Sequence, residues 1–330
     1  MTRGAEPFNF DGLHTAYPAL RDYILANGNR VSPRGEGTIE ALGVSFSVRD
    51  AVNRGVPLGC GRKVGRAMQT IDGVTLLSGH SYHDVNIRLA KTMDRFGDVF
   101  PSDASPVAPD GTELTADELA EFRRRHPDLE GGERFQQGAY GPRIGDQLEK
   151  VEKQLRSDKL TRQAVVSLWS ETDRNASWHD RPCVTEFQLM VRDGKLDIFV
   201  FMRANDLFTG TAYDVFSMAQ IQAAMAHVLG VPHGTYHHYA TSIHIYQRDM
   251  DRISEVGHWP SSTEPFLDNP REDWGPNWDG LEPGTYKSWP EVRKAFTAIL
   301  EAARNGTEYT PSNPVEEWYW ARYEKMRADE

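Results

Sequence analysis

The amino-acid sequence predicts a mixed α/β fold, because segments with a strand period alternate with segments that have a helix period. Apolar and polar residues alternate over 187–191, which is typical of a strand with one buried face. Asp193-Gly194 then predicts a tight hairpin turn into a second strand around Phe199. By contrast, apolar side chains recur at helical spacing over 144–155, so an amphipathic helix is expected there.

Further helices and strands are predicted on both sides of this hairpin. Residues 12–27 show helical spacing and end at Gly28, and a glycine-rich turn leads from there into an alternating strand. A helix interrupted by Gly73 is expected next, and Thr115 followed by Glu118 predicts a short capped helix. The remaining predicted elements are the helix VFSMAQIQAAMAHVLG, the strand HHYATSIHIY and two closing helices, EVRKAFTAILEAARNG and PVEEWYWARYEKM.

Length and composition indicate an ordinary globular protein. The 330 residues show no Gly/Ser-rich or Pro-rich linker, so we expect one domain, 1–330, with divergent regions at 97–135 and after 250. The charged fraction is 26% and the hydrophobic fraction is 39%. A net charge of −11 argues against general nucleic-acid binding, which needs a basic surface.

The same sequence favours a cytoplasmic location. No apolar run approaches the roughly 18 residues that span a bilayer. The segment MTRGAEPFNFDGLH lacks the apolar core of a signal peptide. Two cysteines do not form a disulfide framework, which agrees with a reducing compartment.

Residues 181–246 carry the side chains that point to chemistry. They place a thiol at Cys183, a guanidinium at Arg203 and carboxylates at Asp206 and Asp214 on or beside the predicted strands. The final strand adds His244-Ile245-Tyr246, two polar residues on one strand face. A nucleophile, a cation, acids and hydroxyl partners are the groups that a small anionic substrate needs.

The order and spacing of these residues resemble the thymidylate synthase superfamily, and most closely its pyrimidine nucleotide hydroxymethylase branch. The matching residues are Pro182-Cys183, Arg203, Asp206, Gly210, Asp214 and His244-Ile245-Tyr246. The resemblance implies a large mixed bent sheet flanked by helices, and a homodimer formed by packing of the sheets. It also implies a pyrimidine nucleoside monophosphate as substrate, 5,10-methylenetetrahydrofolate as co-substrate, and no metal.

The resemblance assigns the catalytic roles to three residues. Cys183 would add as a thiolate to C6 of the pyrimidine, with Arg181 and Arg203 lowering its pKa; the alternative is a buried packing cysteine, as assumed for Cys60. Tyr140 would lie near the base and assist proton removal from C5. Asp72 would replace the family glutamate that organises water near the base, or it is a plain surface residue.

The resemblance also assigns the binding roles. Arg34, Arg203 and Arg162 of the partner chain would grip the 5′-phosphate. For Arg34 a solvated turn residue is the alternative, and for Arg162 a cation at a strand entry. His244 and Tyr246 would bind sugar hydroxyls, while Asp206 and Gly210 would lie on the folate side.

Asp214 is the residue expected to select the base. Cytosine presents an amino donor at C4 and an acceptor at N3, so a carboxylate accepts from the amino group and shares a proton with N3. Against uracil the carboxylate would face the O4 acceptor without a donor. Asp214 could also cap the helix that follows it, and both roles are compatible.

Departures from the family pattern favour hydroxymethylation over methylation. Val184 and Met202 replace a histidine and a glutamine, and 97–135 contains no tryptophan. The expected reaction is water addition to a methylene at C5 of CMP or dCMP, with CMP preferred. A dUMP methylase is opposed by Asp214, and a non-catalytic nucleotide sensor is opposed by Cys183 with the arginines.

Overall fold

A computed structural model describes residues 8–56, 64–89, 91–102, 105–175, 177–257 and 274–328. In this part of the chain a large mixed sheet is flanked by helices, which confirms the predicted mixed α/β fold. The strands are β1 Phe8–Phe10, β2 Asn29–Val31, β3 Thr38–Val48, β4 Asp98–Val99, β5 Arg134–Phe135, β6 Val165–Ser167, β7 Val184–Arg192, β8 Lys195–Met202, β9 Asn205–Asp206 and β10 His233–Tyr246.

The helices cover the sheet and one another. They are α1 Leu13–Asn27, α2 Arg66–Ser78, α3 His83–Leu89, α4 Ala116–Arg125, α5 Gly141–Ser157, α6 Thr211–Leu229, α7 Met250–Ser254, α8 Trp289–Asn305 and α9 Pro314–Ala328. Helix α6 is buried along most of its length, and α2 packs against α5, α6, α8 and α9. Among the described residues, no helix is long and apolar enough to cross a membrane.

The main sheet has the strand order β1-β3-β10-β8-β7-β6, with β2 added to β3 and β9 added to β10. The long strand β10 runs antiparallel to β3 and parallel to β8 and β9. The predicted hairpin joins β7 to β8, and Asp193 and Gly194 both have positive φ, 48° and 75°. This is the backbone that a two-residue hairpin turn requires.

The buried side of β10 changes along the strand. Tyr236 and Ala240 are buried in its first half, whereas Ile243 and Ile245 are buried in its second half. The change occurs opposite Gly43 of β3, whose φ of +66° is readily reached only by glycine. His244 and Tyr246 are thereby kept out of the core and remain accessible at the end of the strand.

The expected interruption of α2 at Gly73 is wrong, because the helix runs unbroken from Arg66 to Ser78. A Cβ atom at position 73 would collide with the hydroxyl oxygen of Tyr319 on α9. The glycine therefore provides room for a close helix contact rather than a break.

The divergent region 97–135 packs as a small layer of its own. Strands β4 and β5 pair antiparallel, and α4 begins at Thr115 with the predicted capping box to Glu118. A cluster of mostly edge-to-face aromatic rings holds the layer together, formed by Phe100, Phe122, Phe135 and Trp178. Cys60 and Trp259 lie outside the described residues.

Candidate active site

Cys183 and Arg203 meet at the start of β7 and the end of β8. The Arg203 side chain donates from Nε to the Pro182 carbonyl at 2.9 Å and from Nη2 to the Arg181 carbonyl at 3.0 Å. Nη2 also lies 3.8 Å from the Cys183 sulfur. Within the described residues Nη1 has no hydrogen-bond partner, so it remains available to an anion.

The expected lowering of the pKa of Cys183 is wrong for the free protein. Burial raises the pKa of the thiol to about 12, and the nearby carboxylates of Asp214, Asp180 and Asp206 add to the increase. Arg203 acts in the opposite direction, but a single guanidinium does not outweigh these effects. The cysteine is therefore a thiol in this state, half-buried and not in a disulfide.

Tyr140 connects the cysteine strand to Asp214. The phenol precedes α5, accepts a hydrogen bond from the Val184 amide at 3.3 Å and donates to Asp214 Oδ1 at 3.2 Å. Burial raises the pKa of the phenol well above its ordinary value, and Asp214 and Cys183 raise it further. Tyr140 is thus a neutral donor fixed between Asp214 and the first residue of the strand that follows Cys183.

The carboxylate of Asp214 is held by a second donor on its other oxygen. Asn205 Nδ2 donates to Oδ2 at 3.1 Å, and Asn205 Oδ1 accepts from the Thr211 hydroxyl at 2.7 Å. Burial raises the pKa of Asp214 to about 7, although the hydrogen bonds from Tyr140 and Asn205 lower it. Asp214 makes no capping hydrogen bond, since the N-terminus of α6 has no side-chain cap.

Asp206 and Gly210 shape the turn before α6. Asp206 Oδ1 accepts from the amides of Phe208 and Thr209 at 2.9 and 3.1 Å, while its backbone carbonyl accepts from Gly210 N at 2.9 Å. A Cβ atom at position 210 would lie 3.1 Å from both Asp206 O and Asp214 Oδ2. Gly210 thus leaves room for the carboxylate of Asp214.

Asp72 lies on α2, half-buried, close enough to Asp214 for the two carboxylates to interact electrostatically. Burial raises the pKa of Asp72 to about 8, and the charge of Asp214 contributes to the increase. A plain surface residue would not have this environment. The structure therefore brings Asp72 into the same acidic cluster as Asp214.

His244 and Tyr246 lie side by side at the end of β10, with ring centroids 5.0 Å apart and nearly perpendicular. Burial lowers the pKa of His244, while the carboxylates of Asp206 and Glu40 raise it. Arg248 and Arg34 lower it further, which places both guanidinium groups within electrostatic reach of the histidine. Arg34 itself is exposed, in a turn where its φ is +54°.

Arg248 was not anticipated from the sequence. It lies over the Tyr246 ring, 3.9 Å from the centroid, and forms an ion pair with Glu36 in the turn that carries Arg34. This links the turn to the end of β10.

Arg162 is exposed just before β6, away from Cys183 on its own chain. Its carbonyl accepts from Gln188 Nε2 at 2.7 Å, and this fixes the backbone but not the guanidinium. The structure does not bring Arg162 together with the other predicted residues of one chain, and its role in a partner's site stays a prediction.

The two apolar departures near the cysteine face each other. Val184 and Met202 are direct partners in the β7–β8 ladder, and both are buried. Beside them Trp169 packs against the guanidinium of Arg203, which lies 5.5 Å from the ring centroid. The segment 97–135 contains no tryptophan, but Trp169 from another part of the chain borders the site.

The segment leading to Cys183 is anchored from several sides. Arg143 and Asp173 form a buried bidentate ion pair with both N–O distances at 2.7 Å. Asp98 of β4 accepts from the ring and backbone of His179, at 2.5 and 3.1 Å. Burial is the main reason why the pKa of the neighbouring Asp180 is raised to about 6. These contacts connect the divergent layer to the site.

The candidate site therefore combines a thiol, a guanidinium with a free edge and a cluster of carboxylates. Residues 117–269, just under half of the chain, match the family described as Thymidylate synthase. This match and the relatives described next support the thymidylate synthase superfamily as the class to which fold and site point.

Two relatives illustrate the similarity. The deoxyuridylate hydroxymethyltransferase of Bacillus phage SP01 is 29% identical over 238 residues, which is 71% of this chain and 57% of the phage protein. The thymidylate synthase of Symbiobacterium thermophilum is 36% identical over 93 residues, 28% of this chain and 32% of that protein. The aligned regions thus span about half, or less, of these relatives.

Sequence reasoning missed Asn205, Thr211 and Asp180, which hold or perturb the predicted residues. The sequence does contain a signal for Asn205. It is a polar residue directly before Asp206, and a polar side chain that is buried needs a hydrogen-bond partner. No pattern in the sequence pointed to Asp180.

Proposed function

We propose that this protein is a member of the thymidylate synthase superfamily that hydroxymethylates a cytidine monophosphate at C5. The observation that carries the proposal is the Tyr140–Asp214 hydrogen bond, which ties a base-selecting carboxylate to the strand of the nucleophile Cys183. A methylase for uridylate has no need of a carboxylate there. The similarity to a phage hydroxymethyltransferase supports the reaction type.

In this proposal Cys183 supplies the nucleophile. Its sulfur adds to C6 of the pyrimidine, which makes C5 nucleophilic, and the sulfur leaves again when the product forms. The thiol must lose its proton in the complex, because its pKa is about 12 in the free protein. Tyr140 would assist removal of the proton from C5, and Asp72 would organise water near the base.

The phosphate and sugar would be held by groups around both ends of the site. Nη1 of Arg203 offers two donors that face no partner in the described structure. Arg34 would contribute from its turn, and Arg162 from the partner chain. His244 and Tyr246 would contact the sugar hydroxyls, which leaves CMP and dCMP both as substrates, with CMP preferred.

The co-substrate would be 5,10-methylenetetrahydrofolate, which donates a one-carbon unit at the oxidation level of formaldehyde. Asp206 and Gly210 would lie on its side of the site. Water would then add to the one-carbon unit, so that nucleotide, folate donor and water yield 5-hydroxymethylcytidylate and tetrahydrofolate. The apolar Val184–Met202 pair, in place of two polar family residues, supports this departure from methylation.

A homodimer formed through the open face of the sheet is part of the proposal. Phe201 and Tyr239 are 36% and 39% exposed on that face, and Val165, three residues after Arg162, is 40% exposed. Exposed aromatic and aliphatic side chains on a sheet are typical of a protein interface. A cytoplasmic location and a role in antibiotic biosynthesis, as in the CMP hydroxymethylase of mildiomycin biosynthesis that the sequence resembles, belong to the same proposal.

A second candidate is hydroxymethylation of deoxyuridylate, which the name of the phage relative favours. Methylation of dUMP and nucleotide sensing without catalysis are less well supported, because Asp214 opposes the first and Cys183 opposes the second. The experiment is to incubate the protein with CMP, dCMP and dUMP, each with the folate, and to weigh the products. A cytidylate heavier by one CH₂O supports the proposal, whereas modification of dUMP alone would replace it with the second candidate.

A further inference from the structure

Asn205 is a buried residue that contacts the Asp214 carboxylate. It is 1% exposed, on the two-residue strand β9, and its backbone pairs with Ile243 of β10. Both ends of its amide are occupied, since Nδ2 donates to Asp214 and Oδ1 accepts from Thr211. Thr211 is itself fully buried at the start of α6 and also contacts the Asp206 carbonyl, at 3.2 Å.

The Asn205 amide is oriented by Thr211 and Asp214 together, because a hydroxyl can donate or accept whereas an ionised carboxylate only accepts. A threonine at 2.7 Å that donates to Oδ1 leaves the NH₂ group to face Asp214. The opposite orientation would place the amide oxygen 3.1 Å from a carboxylate oxygen, which is repulsive when Asp214 is ionised. Thr211 therefore donates to Asn205, and the Asn205 NH₂ group in turn donates to the carboxylate of Asp214.

The two donors divide the hydrogen-bonding capacity of Asp214 evenly. A carboxylate has about two acceptor sites on each oxygen. Tyr140 uses one site on Oδ1 and Asn205 uses one on Oδ2, while no other described residue donates to either oxygen. One acceptor site therefore remains on each oxygen, which makes a two-pronged acceptor.

This acceptor matches cytosine that is protonated at N3. Such a base presents two donors, N3–H and N4–H, in the same fork geometry that pairs a guanidinium with a carboxylate. Uracil cannot form the equivalent pair, because its O4 is far too weakly basic to hold the proton. A proton on N3 also withdraws electrons from C6, where the sulfur of Cys183 would add.

We propose, building on the proposed cytidylate activity, that Asn205 is a positioning residue which, oriented by Thr211, holds Asp214 as a two-pronged carboxylate and so keeps the shared proton on N3 of the substrate. Only one proton is involved. It is on Asp214 in the free protein, or is taken from solvent when Asp214 is ionised, and in the complex it is on N3. Without the Asn205 donor, the carboxyl group retains the proton and the base is less activated.

Other ionisable groups around Asp214 enter the interpretation of any pH dependence. They come from every element packed against it: Asp72 on α2, Tyr140 before α5, Cys183 before β7, Asp206 on β9 and Tyr236 on β10. Of these groups, Asp72 has a pKa near that of Asp214, about 8 against about 7. An Asp72→Asn background removes that second titration.

The test uses CMP labelled with ¹⁵N at N3, bound to the full-length protein. The N3 chemical shift of the wild-type complex should be that of a protonated ring nitrogen. In Asn205→Leu the new side chain has a similar volume but no donor, so the N3 chemical shift should return toward that of free CMP. The kcat should fall about ten- to a hundredfold while KM changes less than about threefold.

Thr211 provides a second, independent variant. Thr211→Val keeps the shape but releases the Asn205 amide, and it should lower kcat about three- to tenfold. Thr211→Ser restores the hydroxyl and should recover most of the wild-type kcat and N3 shift. A matched control is Asn53→Leu, because Asn53 also donates its amide to an aspartate, Asp279 at 3.0 Å, but on the surface; its kcat should remain that of the wild type.

The pH dependence of CMP affinity separates positioning from mere structural support. Binding needs one proton, so affinity is constant between the pKa of N3 in free CMP and the pKa of Asp214 in the free protein, and it falls above the latter by about tenfold per pH unit. Loss of a donor to the ionised form raises that pKa. In the double variant Asp72→Asn/Asn205→Leu, CMP affinity should therefore begin to fall at a higher pH than in Asp72→Asn alone.

An N3 shift equal to that of free CMP in the wild-type complex would overturn the inference. So would a folded Asn205→Leu variant with unchanged N3 shift and kcat. If the wild type binds CMP with protonated N3 but forms no hydroxymethylated product, the proposed activity fails. Loss of that proton in Asn205→Leu would still support the role of Asn205.

Discussion

The phenol of Tyr140 bridges Asp214 and the backbone of the strand that Cys183 precedes. It donates to Asp214 Oδ1 at 3.2 Å and accepts from Val184 N at 3.3 Å. A shift of the strand is thereby transmitted to the carboxylate through a single side chain. The sulfur that would attack C6 and the group that would hold the base are thus parts of one hydrogen-bonded unit.

Tyr140→Phe should raise the pKa of Asp214 above about 7, because the lost hydrogen bond favours its ionised form. Since CMP binding needs one proton, the pH at which affinity begins to fall should move upward by the same amount. Isothermal titration of CMP at a series of pH values between about 6 and 9 measures the pH at which affinity begins to fall. An unchanged break would show that Tyr140 does not influence Asp214 in solution.

Cys183→Ala should abolish turnover and leave nucleotide affinity within about threefold, because the thiol acts chemically and not in binding. Mass spectrometry of wild-type protein with a 5-fluorinated cytidylate and the folate should find a covalent adduct on Cys183. An adduct on Cys60, or turnover that persists in the variant, would contradict the assignment.

The free thiol should react slowly with iodoacetamide at pH 8, because its pKa is about 12. Asp180 is ionised at that pH, with a pKa of about 6, and its charge raises the pKa of the thiol. Asp180→Asn removes the like charge, so the pKa of Cys183 should fall and alkylation should be several-fold faster. Glu171→Gln, in an exposed pair with Arg174, is the control and should leave the rate unchanged.

Asp214→Asn should lower cytidylate turnover by about one to two decades and admit uridylate, because an amide presents a donor to O4. The product should still be a hydroxymethyl compound, released with tetrahydrofolate, since the change leaves Val184 and Met202 in place. Absorbance at near-ultraviolet wavelengths reports any dihydrofolate. Formation of dihydrofolate and a 5-methyl product by the wild type would refute the proposed hydroxymethylase.

Mixed dimers test whether Arg162 serves the partner's site. Cys183→Ala and Arg162→Ala chains should each be inactive alone, but a heterodimer should contain one intact site and recover roughly a quarter to a half of wild-type activity per dimer. Native mass spectrometry verifies that heterodimers form. Heterodimers without activity would place the role of Arg162 on its own chain.

The local elements were predictable because their signals are local. The Asp193-Gly194 hairpin, the Thr115 capping box and the helix VFSMAQIQAAMAHVLG all appear where the sequence indicated. The interruption at Gly73 was wrong because the partner that uses the glycine, Tyr319, is far away in sequence. Spacing in one segment contains no information about such a contact.

The chemistry of the site was only partly predictable for a similar reason. The sequence identifies Cys183, Arg203 and Asp214, and the structure brings them together. The sign of the pKa shift of Cys183 depends chiefly on burial, a property of the folded chain that the residues around the cysteine do not specify. Likewise the amide direction of Asn205 depends on Asp214 and on Thr211, nine and six residues further on.

The contact between Tyr319 and Gly73 has a consequence for the order in which the chain can mature during synthesis. Asp72 adjoins Gly73, and its helix α2 is covered by α9. The Tyr319 hydroxyl also donates to Gln220 of α6, at 3.3 Å. Until the ribosome has released the chain through residue 319, α2 lacks one of its covering layers. Asp72 therefore acquires its final surroundings only after residue 319 has emerged, later than the emergence of Cys183 and Asp214.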